Sequence, residues 1–270
     1  MILPYPAFAV GDLHGQRPWL NALLRQLERL PEWPAASLIF LGDLVDRGPD
    51  VKGTVERVRD LCANRPHTVC IAGNHDHALA RACGLGGEPA PYWSRRYRAC
   101  YDHAATFQSY LGRPAQNENW DADLAELSAA VAAAGHAAFL GGLPWVAETA
   151  GHVFVHNGLS PEFHEPAGVQ LELLRRKQWH GYVTPKIGTV SHLLYEPEYP
   201  VWLGADRKLA DRPLPVPGRV IVNGHERVKY PQANAIRIRI DTTGGSVPPL
   251  TACLLRAADA APEFTFSEPL

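Results

Sequence analysis

The stretch Leu38-Ile39-Phe40-Leu41-Gly42-Asp43-Leu44-Val45-Asp46-Arg47-Gly48 passes from four apolar residues directly into a glycine-bounded cluster of charge. An apolar run this short, halted by Gly, reads as a buried strand whose exit loop carries polar groups. The same arrangement recurs on either side. Ala7 to Val10 ends in Gly11-Asp12-Leu13-His14-Gly15, and Thr68 to Ala72 ends in Gly73-Asn74-His75-Asp76. Further on, Val153 to Val155 leads into His156-Asn157-Gly158, and Arg219 to Val222 leads through Asn223 into Gly224-His225. Ile236 to Ile240 before Asp241, and Leu250 to Leu255, predict two more strands. Trp19 to Leu30 is predicted as a helix, since Leu20, Leu23, Leu24 and Leu27 recur at i, i+3, i+4 and i+7. Strands alternating with helices imply an α/β fold with the sheet at its core.

The 270 residues suit one large domain or two small ones. No composition shift marks a boundary, so residues 1–270 are read as a single domain. Within it, the stretch from about Arg81 to Trp145 (81–145) has the texture of a helical insertion, aromatic and basic from Tyr92 to Tyr101 and Ala-rich from Asp121 to Leu140. The run Trp93 to Tyr101 reads as a solvated helix face with packed rings, and Trp179 to Pro217 as long loops near the site. With 26 Lys+Arg against 28 Asp+Glu and no block of like charge, no nucleic-acid partner is expected. No apolar window reaches membrane-spanning length and no basic leader is evident, so a cytoplasmic protein without membrane association is expected. The five cysteines, odd in number and without a C-x-x-C pair, fit that reducing compartment.

Ligands of open α/β sheets bind beyond the carboxyl ends of strands, so the polar clusters can converge on one place. Asp12 and His14 stand two apart on an extended exit and can turn toward one ion. Asp43, from a neighbouring strand, could bridge two ions through its two oxygens, leaving Asn74, His156 and His225 to complete a second site. Mixed oxygen and nitrogen ligation of this kind suits transition metals, with Mn the first choice and Fe or Zn as alternatives. Two ions about 3.5–4 Å apart are a template for phosphoester hydrolysis. Arg47 offers the planar fork that matches phosphate. His75, beside Asn74, can protonate the leaving oxygen, with Asp46 orienting it and favouring its protonated form. Asp46 could instead cap the helix after Pro49, and Asp76 reads as an N-cap rather than a ligand. One Gly-Asp turn alone would be structural. Five polar clusters in order, each closing a strand, are not.

Taken in that order, GDLHG, GDLVDRG, GNHD, His156-Asn157-Gly158 and the late Gly224-His225 resemble the phosphoprotein phosphatase branch of the calcineurin-like metallophosphoesterases. The resemblance runs from about Ala7 to Leu255, and Ile240-Asp241-Thr242 through Leu250-Thr251 is similar to that family's last hairpin. It implies a β-sandwich flanked by helices with a dimetal site at one edge. It also implies a second phosphate-binding arginine before the last His, for which Arg207 is the candidate. In two places the chain departs from the protein phosphatases: Asn157 follows His156 where they usually carry Gly, and Asp76 replaces their Glu, as in symmetrical diadenosine tetraphosphatases. The Asp46-Arg47 pair looks like the protein phosphatases. The expectation is therefore a dinuclear metal-dependent phosphatase acting on phosphomonoesters, phosphoserine or phosphothreonine in proteins. The alternative is a symmetrical bis(5'-nucleosyl)-tetraphosphatase. A catalytically silent binding scaffold is a third reading, opposed by the intact ligand set and by Asp46, Arg47 and His75.

Overall fold

The computed structural model describes residues 2–161, 165–178, 200–204 and 214–268. The chain begins with β1 (Ala7–Val10), α1 (Arg17–Leu27), β2 (Ser37–Phe40), α2 (Val51–Asn64), β3 (Thr68–Cys70) and α3 (Asn74–Cys83). A helical stretch follows, comprising α4 (Pro91–Cys100), α5 (Ala104–Leu111), α6 (Trp120–Ala133) and α7 (Ala137–Gly142). The second half holds β4 (Val146–Glu148), β5 (His152–Val155), α8 (Ala167–Arg176), β6 (Val220–Asn223), β7 (Gln232–Ala233), β8 (Arg237–Arg239), β9 (Thr251–Leu255) and β10 (Glu263–Phe266). The strands form two sheets, ordered β10-β9-β1-β2-β3 and β4-β5-β6-β8-β7.

Alternation along each strand explains the layering, because successive side chains point to opposite faces. Phe8, Val10, Leu38 and Phe40 join Leu20, Leu23, Leu24 and Leu27 of α1 in a core beneath the helices. Their neighbours Ala7, Ala9, Ile39, Leu41 and Ile71 point the other way and meet Phe154, Val222 and Ile238 of the second sheet. Helices therefore cover one face of the first sheet, and the second sheet covers the other. β1, β2 and β3 run parallel, as do β5 and β6, so the loops leaving these strands emerge at like ends within each sheet.

Three strands lacked a readable sequence signal. β4 is only three residues long, β7 only two, and β10 is a partly exposed edge strand carrying Glu263 and Thr265. Helix α4 has the packed rings and the solvated face expected of Trp93 to Tyr101: Trp93 and Tyr97 are fully buried in the main core, while Arg95 and Arg98 are exposed. Helix α2 is capped by Asp50, whose Oδ1 accepts from Gly53 N at 2.9 Å. That leaves Asp46 free for another role.

Candidate metal centre and active site

Each loop that leaves β1, β2, β3, β5 and β6 delivers polar side chains to one buried region. The loops are tight enough that His14, Asp43, Asp46, Arg47 and His225 all adopt positive φ, between 41° and 69°. Side chains other than glycine pay a steric penalty there, and such residues persist where the surroundings over-determine them. Close packing does so here. A Cβ on Gly73 would sit 2.1 Å from Asp43 Oδ1, and one on Gly224 would sit 1.9 Å from Asp12 Oδ1. Asp76 lies at the third position of α3 rather than at its N-cap, which is Gly73; its Oδ2 accepts from Gly73 N and its Oδ1 from Leu44 N.

Asp43 is at the centre. Its Oδ2 lies 3.3 Å from Nε2 of His14 and 3.3 Å from Nε2 of His156. Both imidazoles turn Nδ1 toward a backbone carbonyl, His14 to Val45 O at 2.8 Å and His156 to Leu41 O at 2.7 Å. A carbonyl can only accept, so Nδ1 carries the proton and Nε2 is the atom offered to the centre. Asn74 Oδ1 enters the same space, 3.1 Å from His156 Nε2 and 2.9 Å from His225 Nδ1. Asp12 is anchored beside them, its Oδ2 accepting from the backbone N of His225 at 3.0 Å. Ligand atoms cluster in two groups that share Asp43: His14, Asp43 and His75 in one, Asp43, His156 and His225 in the other.

The charges of these buried groups are strongly interdependent. Burial, reinforced by the charge of Asp241, holds the Asp12 carboxyl well above its ordinary range. Burial would raise Asp43 too, but His156, His75 and His14 together pull it well below. Burial opposes a charge on His156, yet Asp43 and Asp12 lift it to about 10. Burial and the neighbouring His156 push His225 down to about 3. Carboxylate, amide and imidazole donors with fixed tautomers, converging around a shared carboxylate, fit two borderline-hard cations.

Beside this centre stands the pair Asp46 and His75. Asp46 Oδ2 lies 2.6 Å from His75 Nδ1, and both side chains are buried. The ring is flanked edge-on by His14 at 4.6 Å and Tyr101 at 4.8 Å between centroids. Burial outweighs Asp43 and Asp46 and holds His75 below the usual imidazole value. Asp46 thus works in the expected direction, but desolvation wins over it. Arg47 lies across the front, its guanidinium 2.9 Å from His14 Nε2 and 3.2 Å from His75 Nε2, and donating to Gly244 O at 2.8 Å. Arg207 lies outside the described residues.

Sequence reasoning missed three contributors. Tyr97 and Thr106 hold Asp46 from α4 and α5, and the Gly244 carbonyl holds Arg47. The rings of Trp93, Tyr97 and Tyr101, four residues apart, read as packed, but nothing in that spacing singled out Tyr97 as a partner of Asp46. Nothing local marked Thr106 or Gly244.

The sequence profile of the calcineurin-like phosphoesterase family matches residues 5–228. A symmetrical bis(5'-nucleosyl)-tetraphosphatase of Janthinobacterium sp. (strain Marseille) is 42% identical over 79 residues, covering 29% of this chain and 27% of that protein. The chain therefore matches about a quarter of that relative's length. Among solved structures, one carrying the provisional name diadenosine tetraphosphatase superposes with a TM-score of 0.53 at 18% identity, covering 99% of this chain and 98% of the other. A protein serine/threonine phosphatase from Saccharomyces cerevisiae gives 0.53 at 14% identity, covering 98% and 80%. At these identities the structural likeness is one of fold.

Proposed function

The chain belongs to the calcineurin-like phosphoesterase family, and from that premise we propose that it is a dinuclear metal-dependent phosphatase of phosphomonoesters, with phosphoserine and phosphothreonine in proteins as its substrate class. Asp12, His14, Asp43, Asn74, His156 and His225 would hold the two ions, Mn by first choice, and Asp43 stands in both groups of donors. When bound, the ions supply Lewis acidity to the phosphoryl oxygens and a water acidic enough to attack at neutral pH. Arg47 releases the imidazoles and turns its fork to the phosphoryl oxygens. As the phosphorus–oxygen bond to the alcohol breaks, His75 Nε2 gives its proton to the leaving oxygen. Asp46 keeps the ring turned that way and balances the charge it carries. A cytoplasmic location belongs to the same reading, supported by the free thiols of Cys62, Cys70, Cys83, Cys100 and Cys253.

The buried Asp46–His75 contact carries this reading, since a basic alkoxide needs a proton far more than an acidic leaving group does. In the metal-loaded protein, His75→Ala is expected to lower kcat about 10²–10⁴-fold on a phosphoserine peptide, and much less on an aryl phosphate with an acidic phenol. Equal losses on both substrates, with metal content intact, overturn the acid role.

A second reading is symmetrical cleavage of dinucleoside tetraphosphates. The name of the Janthinobacterium relative supports it, and so do two exposed cations, Arg227 and Lys229, close after His225.

A further inference from the structure

Asp46 is the pivot on which His75 turns, and its own position is set from the helical stretch rather than from the motif loops. Thr106 Oγ donates to Asp46 Oδ1 at 2.5 Å, and the same hydroxyl accepts from the backbone N of Asp46 at 3.0 Å. Tyr97 Oη donates to the same Oδ1 at 2.7 Å. Oδ1 is thereby satisfied, and Oδ2 is left to His75 Nδ1.

Resting on the phosphatase reading above, we propose that Thr106, seconded by Tyr97, is the positioning residue for leaving-group protonation, so that α4 and α5 form part of the catalytic apparatus. The geometry explains why two hydroxyls are needed. Asp46 sits at φ 69°, a conformation it leaves readily unless held. Thr106 closes a loop of hydrogen bonds through both the backbone and the carboxylate of Asp46, fixing the residue and its plane together. A carboxylate free to rotate would exchange its oxygens on His75, and Nε2 would sweep away from the leaving oxygen. Tyr101, four residues beyond Tyr97, lies against the His75 ring, so one helix end steadies both members of the pair. A merely structural role would have these hydroxyls anchoring the helices to the core, with no preference for one substrate over another.

Thr106→Val removes the hydroxyl while keeping the volume, and Thr106→Ser retains the hydroxyl. On a phosphoserine peptide the valine variant is expected to lose about 10- to 100-fold in kcat, a fraction of what the acid itself contributes, with little change in KM. The loss should shrink to a few-fold on an aryl phosphate with an acidic phenol, and serine should restore most of it. If valine fails to fold, Tyr97→Phe carries the same comparison. Equal losses across leaving groups at unchanged metal content overturn the proposal. A proton NMR spectrum tests the arrangement without turnover. The Nδ1 proton of His75, in a short charge-assisted bond, is expected far downfield and should move upfield in Thr106→Val but not in Thr106→Ser. An unmoved resonance overturns the proposal even in an active enzyme. Failure of the wild-type protein to hydrolyse any phosphomonoester overturns instead the reading on which it rests.

Discussion

At the scale of single residues, the centre is organised by one carboxylate among imidazoles. Asp43 is within 3.3 Å of both His14 and His156, and all three are buried. Of the surrounding imidazoles, His14 and His156 are the two whose protonated forms the carboxylates favour. His156, ordinarily at 6.5, is lifted to about 10 because Asp43 and Asp12 outweigh the cost of burying its charge. A raised imidazole stabilises the fold fully below its unfolded value, and that contribution disappears as pH climbs through the folded value. The metal-free protein should therefore lose thermal stability between pH 6.5 and about 10. Metal uptake, which needs a neutral imidazole, should release protons in the same range and flatten the dependence. Thermal melts across pH with chelator and with Mn check both, and Asp43→Asn should abolish the slope along with the uptake of both ions. A metal-free protein of constant stability across that interval would contradict the assignment of His156. The identities of these residues were legible in the sequence, because carboxylates and imidazoles spaced two apart at strand exits have a plain chemical meaning. Their charge states were not, since these depend on burial and on which imidazoles share one oxygen.

Among elements, strands and loops divide the work, and each left a different trace in the sequence. β1 and β2 were readable because every second side chain meets a different layer: Phe8 and Phe40 go to the helices, Ala9 and Ile39 to the opposite sheet. β4 and β7 were not, being too short for a period to show. The exit loops were readable through their glycines, two of which meet the site directly. Gly73 brings the start of α3 against Asp43, so a methyl group there would lie 2.1 Å from Oδ1 and 2.4 Å from the backbone N of Asp43. Neither atom can retreat, since the backbone is fixed and the carboxylate is wedged between imidazoles. Gly73→Ala should cost about 1–3 kcal/mol by overpacking, with weaker metal retention. Denaturant midpoints and metal analysis of the dialysed protein report the two effects, and full metal retention would show that the loop gives way. The contribution of α4 and α5 was illegible for the opposite reason. Thr106 reaches Asp46 across 60 residues of sequence, and a threonine early in a helix carries no sign of such a partner.

For the whole molecule, what the site's surroundings admit is governed by charge more than by fold. The chain is nearly balanced, at −2 overall, so any local excess is a matter of placement. Along the segment after His225, Val228 is buried while Arg227 and Lys229 on either side of it are exposed. Glu226 is already paired with Arg239 at 3.2 Å, whereas Arg227 and Lys229 make no ion pair among the described residues. The stem of Arg227 lies against Gly244, whose Cβ position is 3.0 Å from Arg227 Cδ, and Gly244 O in turn receives Arg47. Positive charge thus continues outward from Arg47 by one side chain's width, opposed at the rim by the exposed Asp102, whose carbonyl accepts from Arg47 N. A phosphomonoester places its two negative charges at the centre and has none left for Arg227. A dinucleoside tetraphosphate spreads charge on both sides of the bond to be cut, and would use it. The two substrate readings therefore separate on one double variant. Replacing Arg227 and Lys229 with Ala should lower kcat/KM for diadenosine tetraphosphate at least tenfold, with greater salt sensitivity in the parent, while a phosphoserine peptide changes by less than threefold. In the parent protein the peptide should be the better substrate, because the Asp46–His75 pair assists a basic leaving group and a nucleoside diphosphate needs little such help. If the parent instead favours the dinucleotide by tenfold, about 1.4 kcal/mol of transition-state stabilisation, and the double variant erases that margin, the cations rather than the acid define what this enzyme cleaves.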